Sequence, residues 1–269
     1  MGMRIDLGSG NHKFRDCIGI DRIAYQDTDL VLDYNQRLPF EDDTVEFVMA
    51  SRSLEYVDDL QAVMQELYRV CRHKAMVCIV APYAHVGSHM VNPEYKQLFN
   101  EHSPRYWTSS TDTIIDEDEF MLSRQDAWPL LKKEHAAMDF RVLRMEFFYF
   151  PAYYTGYDPI ELSLLRQSQL NVAYQIMFHL LVVKKPILME ELLLLSQTAA
   201  FEEPDYVKEQ RNAAEGKEDA EQLFYVNHMP YTEQNLASGE VVLPREPMKP
   251  MKQPKRRKRR LIARKQRRR

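Results

Sequence analysis

The sequence predicts an α/β fold with a largely parallel β-sheet. Apolar runs of four to seven residues, bounded by turn residues, recur through the first 81 residues. Runs of this length are typical of strands that are buried on both faces. A glycine-rich turn follows the first run, and one amphipathic helix separates the last two. The predicted strands of this region are 3–7, 17–21, 30–33, 45–50 and 75–81.

The helix before the fifth predicted strand is indicated by five apolar residues at helical spacing. They occupy positions i, i+3, i+4, i+7 and i+11, which form one face at 3.6 residues per turn: Leu60, Val63, Met64, Leu67 and Cys71. Asp58 is the predicted N-cap, and Gln61 follows three residues later in a box-like arrangement. Strand, helix and strand together predict a right-handed βαβ unit.

The remainder of the chain is predicted to divide by composition. Aromatic and β-branched residues indicate strands at 140–150 and 175–184, with a helix between them. Residues 83–138 are predicted to form loops and short helices, and 187–195 a short apolar helix packed on the domain. We expect order to decrease after about residue 200, where the composition buries little apolar surface. The predicted divisions are a domain at 1–186, an acidic and polar extension at 187–251, and a disordered basic tail at 252–269.

The charge of the chain is distributed unevenly. Residues 252–269 contain twelve Lys or Arg and no acid, so the other residues carry 24 basic and 40 acidic side chains, a charge of −16. The tail has three open interpretations: a segment that binds phosphate backbones, a nuclear import signal, or a solvated end. No apolar run of eighteen residues and no secretory signal are evident. Three cysteines without a CxxC pair favour buried thiols in a reducing compartment, and we expect a cytoplasmic protein without membrane contact.

The segment most informative about function is the turn Gly8-Ser9-Gly10-Asn11, which follows Asp6 at the end of the first predicted strand. Glycines in such a turn adopt backbone angles that other residues avoid, and they let a ligand lie against the main chain. Asp21 closes the second predicted strand. A carboxylate there can accept hydrogen bonds from both hydroxyls of a ribose. A tight structural turn and a strand-end carboxylate that caps nearby amides remain the alternative interpretation.

This pattern resembles the cofactor signature of class I S-adenosylmethionine-dependent methyltransferases, in particular a type 11-like subgroup with short GxGN…D spacing. The resemblance continues through 32–48, which is similar to the family's "LPFxDxSFDxV" block, and through 50–59 and 66–70, which are similar to "ASxxLEHxxD…ExxRVL". It covers about residues 4–83. It implies a Rossmann-like three-layer sandwich that binds S-adenosyl-L-methionine and transfers a methyl group.

The resemblance also implies roles for individual residues. Asp6 and the main chain of 8–11 are expected near the methionine part and sugar of the cofactor, and Asp21 at the ribose. Asp33, with Tyr34 or Asn35, is expected at the adenine. Ser51 and the residues up to Glu55 are expected to form the floor near the transferred methyl group.

The chain departs from the family pattern in its spacings. Only eleven positions separate Gly10 from Asp21, and Asp29 follows soon after, whereas a parallel crossover normally needs a dozen residues or more. The first helices are therefore expected to be stunted or absent. The family has no universal catalytic residue. Arg52 and Tyr56 stand where the family often has His, which puts a catalytic use of these two positions in doubt. Glu55, Tyr56 and His85 are the polar candidates for catalysis near the expected methyl group.

Several alternatives remain open at this stage. The spacing of His85 and His89 would suit a metal on a helix, but Gly87 disfavours a helix and no third ligand is evident; no metal is expected. The aromatic residues of 147–157 are expected in the core. The methyl acceptor is not identified. The chain could instead be an inactive nucleoside-binding fold that binds a polyanion through its tail, or an RNA methyltransferase.

Overall fold

The sheet has seven strands in the order β3-β2-β1-β4-β5-β7-β6. In this computed structural model, residues 2–114, 128–130 and 138–215 are described. The first five strands are mutually parallel, whereas β7 is antiparallel to both β5 and β6. The strand bounds are β1 Met3–Leu7, β2 Ile18–Asp21, β3 Leu30–Val31, β4 Val45–Ser51, β5 Cys71–Pro82, β6 Phe140–Tyr149 and β7 Ala173–Val182.

This topology is the Rossmann-like arrangement that the sequence predicts. The strand order reverses between β1 and β4, which is where open α/β sheets bind ligands, outside the carboxyl ends of the strands. The expected shortening is also confirmed: across residues 2–53, all of which are described, no helix connects β1 to β2, β2 to β3, or β3 to β4. Because of these short connections, the turn after β1 lies directly against the carboxyl end of β2.

Five helices accompany the sheet in the described part of the chain: α1 Leu60–Val70, α2 Gly87–Met90, α3 Pro159–Ser168, α4 Met189–Thr198 and α5 Asp205–Glu215. The βαβ unit is confirmed, because α1 connects the parallel strands β4 and β5. The N-cap prediction is wrong by one residue. The carboxylate of Asp59 caps α1 by accepting from Ala62 N at 3.0 Å, whereas Asp58 pairs with Lys96 and donates its amide to Asn35 Oδ1.

Helices cover both faces of the sheet, so the predicted three-layer sandwich is confirmed. On one face Met64 and Leu67 of α1 pack in the largest apolar cluster with Val48 and Ala50 of β4, and α3 joins the same cluster. The other face presents the alternate residues of the strands. There Val207 of α5 packs against a smaller cluster that contains Cys17, Phe47, Met49, Cys78, Val80 and Met177.

The C-terminal helices take part in this second face. Leu192 of α4 packs with Leu143 and Leu181 of the sheet, which confirms the apolar helix expected near 187–195. Order was expected to decrease after about residue 200, but helix α5 forms there. It is stabilised by partners in the sheet that are distant in the chain. The predicted tail at 252–269 lies outside the described residues, as does the extension beyond 215.

Other expectations concern the core and the surface. All three cysteines are free and buried, as predicted. Of the aromatic run 147–157, residues 147–149 are buried in β6, whereas Tyr157 is exposed. Among the described residues, the helices are too short or too polar to span a lipid bilayer.

Candidate functional site

The turn after β1 brings two glycines against the end of β2. The amides of Gly8 and Ser9 donate to the carbonyl oxygen of Ile20 at 2.8 and 3.2 Å. Gly8 and Gly10 have φ values of +72° and +53°, in the left-handed region that favours glycine. Gly10 N donates to Asp21 Oδ2 at 3.0 Å. The glycine turn and the carboxylate that closes β2 are therefore adjacent.

The Asp21 carboxylate is held in place by main-chain amides. Its Oδ1 accepts from Ile23 N at 3.0 Å, and its Oδ2 accepts from Gly10 N. An ionised carboxylate offers about four acceptor positions, so the two oxygens retain capacity for further donors. Asp21 is 9% exposed. A fixed, only slightly exposed acceptor of this kind is suited to binding vicinal hydroxyls.

A cleft of about 280 Å³ opens at this edge of the sheet. Its walls come from the carboxyl ends of β1 and β2, the loop after β3, and the turn after β4. Five of the nine residues that were expected to bind the cofactor line it: Gly8, Gly10, Asp21, Asp33 and Tyr34. Five of the nine expected residues thus share one cleft, and their binding of a cofactor stays a prediction.

The other four expected cofactor residues do not line the cleft. Asp6 is buried and accepts from Phe14 N at 2.7 Å, and burial raises the pKa of its carboxyl to about 6. Ser9 turns its hydroxyl toward Gly19. Asn11 is exposed, and the hydroxyl of Ser51 bonds to that of Tyr206 at 2.8 Å.

The loop after β3 forms the wall where the adenine was expected. Asp33 Oδ1 accepts from both the amide and the side-chain Nδ2 of Asn35, at 3.0 and 2.8 Å. The hydroxyl of Tyr34 donates to the carbonyl oxygen of Ser53 at 3.2 Å, so this loop is tied to the turn after β4. Asn35 also lines the cleft.

The turn after β4 supplies two lining residues, Arg52 and Ser53, from the range 51–55 that was expected to form the floor. Arg52 has a φ of +56°, and its Nη2 donates to the hydroxyl of Tyr95 at 2.9 Å. Ser53 is buried, and its Oγ has no hydrogen-bond partner. The lining residues that the sequence reasoning missed are Arg22, Ile23 and Tyr25, which follow β2. The positive φ of Arg52, directly after a strand, marks this turn as strained, and that feature is visible only in the structure.

The three polar candidates for catalysis occupy different environments. Tyr56 lines the cleft, and its ring packs edge-on against that of Tyr95 with centroids 5.5 Å apart. Glu55 is fully buried beside the lining residues, and burial raises the pKa of its carboxyl to about 7. His85 lies after β5, does not line this cleft, and has its Nδ1 3.1 Å from the carbonyl oxygen of Arg166.

No metal site is formed by the histidine pair. His89 Nδ1 lies 2.9 Å from the carbonyl oxygen of Tyr83. Within the described ranges, no group of three or more His, Cys, Asp or Glu side chains is arranged to hold a metal ion.

Comparison with known proteins agrees with the resemblance seen in the sequence. Residues 12–79 match the family described as a methyltransferase domain, which confirms the similarity to S-adenosylmethionine-dependent class I methyltransferases. No curated protein is significantly similar in sequence.

The solved structures that match the chain share little sequence with it. A S-adenosylmethionine-dependent methyltransferase from Archaeoglobus fulgidus is 15% identical, with 67% of this chain and 86% of that chain covered and a TM-score of 0.42. The YcgJ protein of Bacillus subtilis is 10% identical, with 69% and 93% covered and a TM-score of 0.40. A putative methyltransferase of Haloferax volcanii, solved in complex with the activator Trm112, is 15% identical, with 68% and 83% covered and a TM-score of 0.38.

Proposed function

We propose that the protein is an S-adenosylmethionine-dependent methyltransferase and that the cleft beside Asp21 binds the cofactor. Although a purely structural cap would also make the contact of 3.0 Å between Gly10 N and Asp21 Oδ2, Gly8, Gly10 and Asp21 together line an open cleft of about 280 Å³, and this observation supports the proposal most. This arrangement lies at the point where the strand order reverses, the usual place for a nucleoside in an open α/β sheet.

The residues of the cleft fit such a cofactor. A Cβ atom on Gly10 would meet nothing within 4 Å, so a ligand can approach the main chain there. The buried hydroxyl of Ser53 has no hydrogen-bond partner among the described residues, and unpaired buried polar groups are uncommon in native structures. Both features are explained if a polar ligand occupies the cleft.

Each part of the cleft has a proposed role. Asp21 binds the ribose hydroxyls, and Asp33, with Tyr34 or Asn35, borders the adenine. The main chain of 8–11 contacts the sugar and the methionine part of the cofactor. Asp6 lies near the same part of the cofactor, and Ser51 lies near the transferred methyl group. The bound cofactor supplies a methyl group on a sulfonium, so the protein contributes mainly by aligning the acceptor with it.

A binding experiment tests this proposal. S-adenosylhomocysteine at one hundred times its Kd should stabilise the protein by about 2.7 kcal/mol, which raises the Tm by several degrees. Asp21→Asn should lower the affinity by about 10- to 100-fold, because hydrogen bonds to a charged acceptor are lost. Asp112→Asn is the matched control, since Asp112 is exposed and lies beside the start of β6 at the other edge of the sheet. No stabilisation of the wild-type protein by either S-adenosylhomocysteine or S-adenosylmethionine would contradict the proposal.

Two alternatives share this cleft. An inactive nucleoside-binding protein would show the same stabilisation but no transfer of labelled methyl to RNA, protein or small-molecule pools. An RNA methyltransferase would transfer label to RNA and lose affinity for it when the basic residues 252–269 are removed. Binding of a polyanion by this tail is part of the proposal, as is a cytoplasmic location.

A further inference from the structure

A buried carboxylate lies next to the cleft. Glu55 is 0% exposed, and within the described part of the chain neither of its carboxylate oxygens accepts a hydrogen bond from another residue. The nearest cation is Arg52, whose Nε is 3.4 Å from Glu55 Oε1, while its Nη2 donates to the hydroxyl of Tyr95. Burying a carboxylate costs free energy that one loose ion contact recovers only in part.

The position of Glu55 is fixed by its main chain, which does not depend on the side chain. Its carbonyl oxygen accepts from Lys96 N at 2.8 Å and from Gln97 N at 3.1 Å. An apolar side chain would keep both bonds and avoid the burial of a charge. Apart from the loose ion pair with Arg52, the fold gives this carboxylate no role, and a ligand would supply one.

Glu55 does not itself line the cleft, but it lies directly behind the wall formed by the turn after β4. Arg52, Ser53 and Tyr56, its neighbours in the chain, all line the cleft. Burial raises the pKa of Tyr56, and the charge of Glu55 raises it further. Burial, then Asp21, then Glu55 raise the pKa of Tyr34 on the facing loop. The carboxylate thus lies behind the turn after β4, the part of the cleft where the transferred methyl group is expected.

These observations restrict the chemistry of the acceptor. A carboxylate accepts hydrogen bonds and repels anions, so it is complementary to a cationic N–H donor. The rings of Tyr34 and Tyr56 at the cleft offer π faces, which also attract cations. We propose, on the basis of the proposed function, that the methyl acceptor is an amine that binds as an ammonium with an N–H directed to Glu55, and that Glu55 takes its proton.

The proton transfer prepares the acceptor for methylation. A carboxylate oxygen of Glu55 takes one proton from the ammonium and becomes a neutral carboxylic acid, which leaves the lone pair on nitrogen free. The C–N bond then forms as the C–S bond of the sulfonium breaks, and that electron pair remains on sulfur. The methylated ammonium leaves, and Glu55 returns its proton to solvent. Since burial raises the pKa of Glu55 to about 7, the side chain can both hold and release a proton near neutral pH.

The test uses ligand binding and needs no knowledge of the acceptor. The probe is the amine analogue of the cofactor, in which a carbon bearing an ammonium group replaces the methylsulfonium, and the reference is S-adenosylhomocysteine. In the full chain, Glu55→Gln should weaken the amine analogue by about 10-fold or more, which corresponds to a lost charge-assisted hydrogen bond. The same variant should change the Kd of S-adenosylhomocysteine by less than about threefold. Glu94→Gln, the same change at an exposed position, should change neither.

The pH dependence gives a second readout in the wild-type protein. An alkylammonium remains protonated up to about pH 9, whereas Glu55 gains its charge as the pH rises through about 7. The affinity for the amine analogue relative to S-adenosylhomocysteine should therefore increase from pH 6 to pH 8. This increase should be absent in Glu55→Gln.

The outcomes separate this proposal from the proposed function. If the wild-type protein binds no S-adenosylhomocysteine, the proposed function fails. If the wild-type protein binds S-adenosylhomocysteine but Glu55→Gln weakens this ligand and the amine analogue equally, Glu55 contacts the amino-acid part of the cofactor and the amine proposal is overturned. An unchanged affinity of the variant for both ligands overturns it too. Should the variant fail to fold, the wild-type affinity ratio decides, and a ratio that is flat from pH 6 to pH 8 overturns the proposal.

Discussion

At the residue scale, the two glycines of the first turn have different reasons to lack a side chain. A Cβ on Gly8 would lie 2.4 Å from Ser53 Cβ, whereas a Cβ on Gly10 would meet nothing within 4 Å. Gly8 therefore permits close packing between the turns after β1 and β4. Gly10 borders open space where the proposed ligand lies.

This difference predicts distinct phenotypes for two alanine variants. Gly8→Ala should lower the free energy of unfolding by about 2–4 kcal/mol, because the left-handed φ and the clash with Ser53 add together. Gly10→Ala should cost about 1 kcal/mol for its φ alone, but it should weaken S-adenosylhomocysteine because the methyl group enters the cleft. Urea unfolding and titration calorimetry measure the two effects. A Gly10→Ala variant with unchanged affinity would show that the ligand does not approach this turn.

The sequence predicts the wall of the cleft formed by β1 and β2 better than the wall formed at the end of β4. Gly8, Gly10 and Asp21 are close in the chain and lie on adjacent parallel strands, so their contact follows from the motif. Ser51 was expected at the floor, but successive residues of a strand face opposite sides. It shares the face of Met49, which is covered by α5, and so its hydroxyl meets Tyr206.

At the element scale, helix α5 covers a face that the short N-terminal connections leave without a helix of their own. Val207 is fully buried there. Arg211 fixes the helix through four hydrogen bonds of 2.7–2.8 Å, two to Glu146 of β6 and two to Glu203. Both carboxylates are at most 7% exposed, so α5 is held by buried charge pairs as well as by apolar contacts.

Removing the arginine should therefore destabilise the whole domain. Arg211→Ala should lower the free energy of unfolding by about 2–4 kcal/mol, since Glu146 and Glu203 would be left buried with Arg144 as their remaining close cation. Lys208→Ala on the same helix is the control, because its pair with Asp205 is exposed to solvent and should contribute little to stability. Equal losses for the two variants in urea unfolding would show that α5 is not anchored by these pairs.

Helix α5 also shows why composition misled the sequence analysis. Residues 205–215 contain few aliphatic side chains, and this favoured loss of order after about residue 200. The partners that stabilise the helix are remote in the chain, as with Glu146, which is 65 positions from Arg211. The absent early helices could be predicted because a short connection excludes a crossover helix by length alone, whereas a long-range ion pair leaves no local pattern.

At the scale of the whole molecule, the chain combines two opposite charge distributions. The residues outside 252–269 carry a formal charge of −16, whereas that segment carries twelve cations and no acid. The cleft itself is lined by two carboxylates, Asp21 and Asp33, and by two arginines, Arg22 and Arg52, so its formal charges cancel and it offers no net attraction to a polyphosphate backbone. Affinity for a polyanion is therefore expected to come from the basic segment and not from the cleft.

This division predicts that polyanion binding and cofactor binding are separable. Binding of single-stranded RNA should weaken steeply with salt, with the logarithm of the association constant falling by about 0.7 for each phosphate contact per tenfold increase in salt. A chain that ends at residue 251 should lose most of this affinity but keep its Kd for S-adenosylhomocysteine. Lys185→Ala, which removes one exposed cation from the domain, is the control and should change neither property. Salt-independent binding, or equal RNA affinity of the shortened chain, would mean that the tail does not act through phosphate backbones.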